Sequence, residues 1–341
     1  MPSTTVRLDA PLDMHLHLRD GEMLHNIAQA SAHTFSGAVI MPNLVPPVSS
    51  KEDVIAYKER IIEAIGGEHF TPYMTLFFKP AYDKAFLESV RDEISAIKLY
   101  PAGITTNSEG GVSGFDVEEL RPALEAMSDL NIPLCVHGET NGFVMDREAE
   151  FVSIYEKLAA AFPRLKIIME HITTKESVAA LDKFDNLYAT ITVHHLLLTL
   201  DDVAGGMLQP HLFCKPIAKR PEDREALLKA ALAAHSKVMF GSDSAPHPKH
   251  AKEACGCAAG VFTAPIALQV LTELFETHNA PLENLQAFIS GNAQRIYGVT
   301  PIAKKVILEK KSFKVPAEYN GVVPMYANEE LAYSIKDIKH G

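Results

Sequence analysis

Asp13-Met14-His15-Leu16-His17-Leu18-Arg19 closes a short apolar run near the start of the chain. Read as a strand, it puts side chains two apart on one face, so His15 and His17 set two imidazoles side by side for one cation. Such a pair is weak alone in a chain of 15 histidines, most of which are expected to be solvated or packed. Four later runs end in the same way: Ala96-Ile-Lys98-Leu-Tyr-Pro, Pro133-Leu-Cys-Val-His137-Gly-Glu, Lys166-Ile-Ile-Met-Glu-His171-Ile-Thr-Thr and Lys237-Val-Met-Phe-Gly-Ser-Asp243-Ser-Ala-Pro-His247. Each carries a candidate ligand or bridging group where a strand hands over to a loop. In a barrel of parallel βα units the carboxyl ends of all strands converge on one face. The repeated strand-end ligand therefore predicts a (β/α)8 TIM barrel with a metal site at its mouth.

Strand-like runs fall near 11–17, 37–42, 71–78, 96–100, 132–137, 166–171, 187–194 and 237–243, with helical patterns over 22–34, 50–66, 81–92, 115–130, 146–162, 174–183 and 220–235. Ser50, Asp116 and Asp146 each combine an N-cap residue type with acid in the following turn. A last helical stretch, 264–297, is expected to break at Ala280-Pro281 and stop at Gly298. Beyond Pro301 the texture changes to short mixed segments carrying Lys304, Lys305, Lys310 and Lys311. The expected organisation is a metal-dependent barrel over 1–300 with a small C-terminal extension, 301–341, packed on it. The run 187–194 would place His194 and His195 on opposite sides of a strand, with packing as their expected role.

A hydrophobic content of 47% and a charged content of 22% suit a globular protein with a large core. The net charge of −11, with no basic run, argues against a nucleic-acid partner. Cys135 and Cys214 are isolated and only Cys255-Gly-Cys257 is close-set, so no disulfide framework is read and a reducing cytoplasm is expected. Cys255 and Cys257 also lack a second ligand pair for structural zinc. The start, Met1-Pro-Ser-Thr-Thr5, shows no charged and apolar leader, and no run of about 18 apolar residues follows, so no membrane partner is expected.

His15, His17, His137, His171 and Asp243 are more than one tetrahedral zinc needs. Two cations about 3.5–4 Å apart would use them all and want a bridge. A lysine held among cations loses its proton and can add carbon dioxide, which makes Lys98 a candidate carbamate bridge. The competing reading is a surface lysine snorkelling from a strand end, against which its apolar setting argues. Arg19, two residues past His17, offers a guanidinium fork to a carboxylate on the same face. Asn43, after a proline, could add amide donors or cap a turn, and His247 is rigidly placed between two prolines. The segment from Gly103 to Gly114 has the composition of a mobile loop and matches neither a dinucleotide fingerprint nor a P-loop. Ser242 and Ser244 stand without a G-x-S-x-G elbow, so a serine hydrolase is not supported.

The order His-x-His, Lys, His, His, Asp resembles the amidohydrolase superfamily. More narrowly, Met41-Pro-Asn43, Ile97-Lys-Leu-Tyr-Pro-Ala-Gly-Ile-Thr-Thr-Asn107-Ser, Glu170-His-Ile-Thr-Thr174, Cys214-Lys-Pro-Ile and Gly241-Ser-Asp-Ser-Ala-Pro-His247 resemble the bacterial, single-domain dihydroorotase family. The resemblance runs from residue 10 or so to residue 298 or so. It implies two zinc ions, one on His15, His17 and Asp243 and the other on His137 and His171, bridged by carboxylated Lys98 and a hydroxide. It implies Asp243 as proton shuttle, Arg19, Asn43, His247 and the backbone near Ala258 as substrate contacts, and Thr105 and Thr106 on a lid. The reaction so implied is the reversible closure of N-carbamoyl-L-aspartate to dihydroorotate and water in pyrimidine synthesis, by a homodimer acting on a small anionic substrate. A hydantoinase-like cyclic amidohydrolase is the alternative, and its neutral ring would not require Arg19. A non-enzymatic assembly protein on this scaffold is disfavoured because all six metal positions are intact.

Overall fold

The computed structural model describes residues 5–341. The reading of the first residues as free of a leader therefore falls, for 1–4, outside the described residues. Eleven strands order the chain: β1 Thr5–Asp9, β2 Leu12–Leu16, β3 Gly37–Ile40, β4 Thr71–Phe77, β5 Ala96–Leu99, β6 Leu134–Val136, β7 Ile167–Met169, β8 Leu187–Ile191, β9 Val238–Phe240, β10 Lys304–Lys314 and β11 Glu330–His340. Strands β2 to β9 pair in sequence order, all in parallel, with helices between most of them. This is a (β/α)8 TIM barrel. Its seam is closed just beyond β2 and β9, where Asp243 N–H donates to the His15 carbonyl at 2.8 Å and His17 N–H to that of Ser244 at 3.2 Å. Gly241 permits that closure, because a Cβ there would lie 2.9 Å from His15 Cβ and 3.0 Å from that of Thr190.

Strands β2, β3, β5, β6, β7 and β9 turn Leu12, Met14, Val39, Ala96, Cys135, Ile168 and Met239 inward, and Ala293 and Ile296 of the last helix plug the bottom. The outer faces bury Leu and Ile against helices whose starts are fixed locally. Ser50 and Asp53 form a capping box on Lys51–Ala64, and Asp116 accepts from the amides of Glu118 and Glu119. Asp146 is a correction. It makes no cap bond, since its own backbone is already helical in a turn whose Phe143 carbonyl accepts the amides of Asp146 and Arg147. The final helical stretch breaks after Thr277, resumes at Leu282 and ends on left-handed Gly298 (φ 68°).

Two further expectations are revised. Strand β8 ends at Ile191, and Thr192 then caps a short helix, Val193–Leu197, that carries His194 and His195. Both histidines are buried on that helix, so the opposite-faces argument does not apply. Beyond Pro301 there are two 11-residue strands, β10 and β11, which form an antiparallel sheet with β1. Lys304, Val306 and Leu308 alternate inward along β10. The Lys304 ammonium donates to the carbonyls of Ala32, His33 and Phe35 at 3.1, 3.1 and 2.7 Å, tying this sheet to the barrel floor. No helix among the described residues is long and apolar enough to cross a membrane.

Candidate metal centre

All six candidate ligands meet at the mouth, and each is buried. His15 lies on β2 and Lys98 on β5, while His17, His137, His171 and Asp243 stand one to three residues past the ends of their strands. The strands are shorter than the sequence reading because the chain leaves the ladder to turn these side chains inward. Arg19, His171 and Asp243 take positive φ angles of 57°, 39° and 42°, a conformation that non-glycine residues hold only when their surroundings enforce it. The His171 ring centroid is 4.8 Å from that of His15 and 4.8 Å from that of His137. Ligand atoms of His15, His17 and Asp243 all lie within 4.8 Å of one another.

Carboxylates behind the imidazoles fix which nitrogen faces the centre. His15 Nδ1 donates at 2.7 Å to Glu170 Oε2, which also accepts from the Thr190 hydroxyl at 2.6 Å. Burial works against the Glu170 charge, yet His15, Lys98 and Thr190 together hold its pKa below the ordinary value. Burial, with Lys98 nearby, lowers the His15 pKa to about 4, so the ring is neutral and its one proton is spent on Glu170. His15 Nε2 then turns a lone pair toward Asp243 Oδ1 at 3.5 Å, and His17 Nε2 approaches the same oxygen at 3.1 Å. Lone pairs crowded against a carboxylate suit a cation between them. His137 is held in the same way by Glu139 at 2.7 Å through Nε2, which leaves Nδ1 for the site. Asp13 accepts from the amide and hydroxyl of Ser242 and from the His15 amide, buckling β2 to the strand-nine loop. Burial nevertheless raises its pKa to about 7.

Four buried polar atoms of the site, Lys98 Nζ, Tyr100 Oη, Glu170 Oε1 and His171 Nδ1, have no hydrogen-bond partner among the described residues. Burial lowers the Lys98 pKa, which favours the neutral amine that adds carbon dioxide. An orphaned buried lysine among imidazoles fits a carbamate bridge, and an orphaned imidazole nitrogen fits a ligand.

The pocket above is lined by Arg19, Asn43, Tyr100, Thr105, Thr106 and Lys215, along with Ala259 and Gly260. Arg19 Nη2 lies 3.0 Å from His247 Nε2, which lies 3.0 Å from the Ala259 carbonyl. Burial and the adjacent Arg19 push the His247 pKa down to about 3. Asn43 Nδ2 donates to the Thr106 carbonyl at 2.9 Å, Asn107 Nδ2 to that of Asn43 at 3.0 Å, and Lys215 Nζ to that of Ile104 at 3.1 Å. The Gly103–Gly114 segment is thereby latched over the pocket. Ala258 stands beside the pocket and not in its lining. Its amide is bound to the Ala251 carbonyl and its own carbonyl to Lys252, so Ala259 and Gly260 form the wall instead.

The amidohydrolase family model matches residues 12–302. A dihydroorotase of Helicobacter hepaticus is 45% identical over 344 residues, covering 99% of each chain. The crystal structure of a Campylobacter jejuni dihydroorotase superposes with a TM-score of 0.95 at 60% identity, covering 99% of both chains. The chain belongs to the dihydroorotase family. A Saccharomyces cerevisiae dihydroorotase solved with 5-fluoroorotic acid matches with a TM-score of 0.91 at 34% identity, over 97% of this chain and 98% of that one.

Within this dihydroorotase-family chain, sequence reasoning missed the groups behind the ligands: Asp13, Glu139, Glu170 and the unpartnered, buried Tyr100 hydroxyl. The available signal was adjacency, since each stands within two residues of a candidate ligand. Cys255 and Cys257 are unpaired and lie outside the ligand cluster. His195 and Cys214 pack together at 3.4 Å.

Proposed function

We propose that the dihydroorotase activity of this chain, the reversible interconversion of dihydroorotate and N-carbamoyl-L-aspartate, runs on a division of labour between a metal-holding floor and an anion-holding wall. His15, His17 and Asp243 would hold one zinc ion, His137 and His171 a second, and carboxylated Lys98 would lie between. When bound, the ions polarise the ring carbonyl and lower the pKa of water toward neutrality. Lys98 adds carbon dioxide through its neutral amine and loses a proton, becoming a bidentate anion. Arg19, with His247, Asn43 and the Ala259–Gly260 backbone, grips the substrate carboxylate and orients the ring. Asp243 takes the proton from the attacking water and delivers it to the amide nitrogen as the ring opens; ring closure reverses both transfers. Thr105 and Thr106 cover the bound ring and exclude bulk water.

The single observation that carries this reading is the orphaned, fully buried Lys98 Nζ beside the imidazole cluster. Four unpaired cysteines fit the proposed reducing cytoplasm. Residues 1–300 would serve as the catalytic body and 301–341 as an extension on it, within a homodimer that light scattering would detect. The deciding experiment measures zinc content and dihydroorotate hydrolysis on one purified sample. Two zinc ions per chain with turnover is the expected result. Zinc without turnover would retain the binuclear hydrolase and reopen the substrate toward neutral, hydantoinase-type rings.

A further inference from the structure

Two lysines of this chain are buried with all their ammonium protons spent on main-chain carbonyls. Lys304 does so at the barrel floor. Lys252, at the end of the short helix Lys249–Lys252, does so beside the pocket and is only 3% exposed. Its Nζ donates to the carbonyls of Phe213 at 3.0 Å, Ala258 at 2.7 Å and Gly260 at 2.7 Å. An ammonium has three protons and no acceptor, so this set is complete.

Those carbonyls belong to two separate loops, which are also joined by Gly260 N–H to the Phe213 carbonyl at 2.9 Å, by His211 to Glu253 at 3.0 Å and by the Cys257 thiol to the Pro210 carbonyl at 3.5 Å; only Lys252 gathers carbonyls of both loops on one atom. The clamped residues flank the wall. Ala259 and Gly260 line the pocket, and the Ala259 carbonyl holds His247, which in turn faces Arg19. A trans peptide points its N–H opposite to its carbonyl. Drawing the Ala258 carbonyl onto Lys252 therefore turns the Ala259 N–H away from the lysine, and no group among the described residues accepts from it. Gly260 has φ 153°, and a Cβ there would collide with the Ala245 carbonyl oxygen, so the wall has little freedom to rebuild itself by another route.

We propose that Lys252 is a positioning residue for carboxylate recognition: its ammonium gathers the Phe213 and Ala258–Gly260 carbonyls so that the wall, His247 and Arg19 converge on an anionic ring substrate. The inference rests on the reading that the substrate carboxylate lies against Arg19 and His247. It deepens that reading by assigning the geometry of the anion site to a lysine that touches no substrate.

The test compares three variants of the full-length, metal-loaded enzyme. Lys252→Met should raise KM for dihydroorotate about tenfold and weaken binding of 5-fluoroorotic acid by the same factor, with kcat within about twofold of the parent and metal content unchanged. Lys304→Met, which breaks an equivalent three-carbonyl clamp far from the pocket, should lower Tm and leave KM in place. Arg19→Met should raise KM more than either. A raised KM in Arg19→Met with an unmoved KM in Lys252→Met would overturn this inference alone. An unmoved KM in Arg19→Met would overturn the carboxylate reading and the inference with it. Should Lys252→Met fail to fold, Lys252→Gln, which keeps two donor protons, should show the same split at smaller size, and a loss confined to Tm would again overturn the assignment.

Discussion

Lys98 at the barrel mouth and Lys304 at its floor are buried almost equally, at 0% and 1% exposure, yet their surroundings are opposite. Lys304 gives its protons to three carbonyls, whereas Lys98 Nζ faces imidazoles and the ring of Tyr100, 5.0 Å away, with no acceptor at all. The difference separates architecture from chemistry. A buried cation that the fold has fully satisfied holds two layers together; one left unsatisfied is costly in the bare protein and makes sense only through something it reacts with or binds. The backbone shows a related contrast at these two places: His171 and Asp243 hold positive φ angles beside the site, while the ladder of β1 with β10 runs in regular register from Thr5↔Glu309 to Asp9↔Lys305.

The contrast breaks most sharply at Lys98 itself. Lys98→Ala should lose bound zinc and at least about a thousandfold in turnover, equivalent to about 4 kcal/mol of barrier; full activity with both ions retained would remove the carbamate bridge. Glu170→Gln should follow, weakening metal affinity about 10- to 100-fold by releasing the His15 ring, as equilibrium dialysis against a chelator would read. Paired Thr105→Gly and Thr106→Gly changes should lower kcat by about tenfold at unchanged metal content; unaltered kinetics would make the covering loop irrelevant. On the floor side, Leu308→Ala should cost about 2–5 kcal/mol of stability in denaturant melts with no change in kcat, because it opens a cavity remote from the chemistry.

The barrel was legible because its signal is repetition: apolar runs ending in a ligand type occur at β2, β5, β6, β7 and the segment after β9, and one spurious reading cannot imitate that order. The sheet of β1, β10 and β11 was not. Lys304 and Lys305 open β10 and the pair Lys310 and Lys311 crosses its middle, so the inward alternation of Val306 and Leu308 is masked by charge. Its partner β1 lies about 300 residues away in sequence, a pairing that no local pattern encodes. At the site, the ligand types carried their own chemistry, whereas the groups behind them did not. Glu139 and Glu170 are ordinary glutamates until the fold sets them 2.7 Å from an imidazole. The pocket wall could be read only as the backbone near Ala258, because backbone contacts leave no side-chain trace, and Asp146 was misread because an acid before a helix can equally sit inside the preceding turn.

The loop over the pocket is fastened to its surroundings by Asn43, Asn107 and Lys215, through three hydrogen bonds. At a net worth of about 1 kcal/mol each, they favour the shut state by roughly a hundred to one. Lids of this kind open on microsecond-to-millisecond timescales, so a molecule turning over about ten times per second would unfasten the loop many times in each cycle. A loop so fastened would act as a shutter. It would thin the stream of arriving substrate about a hundredfold relative to an uncovered pocket and leave the pace of the reaction to the chemistry at the barrel mouth.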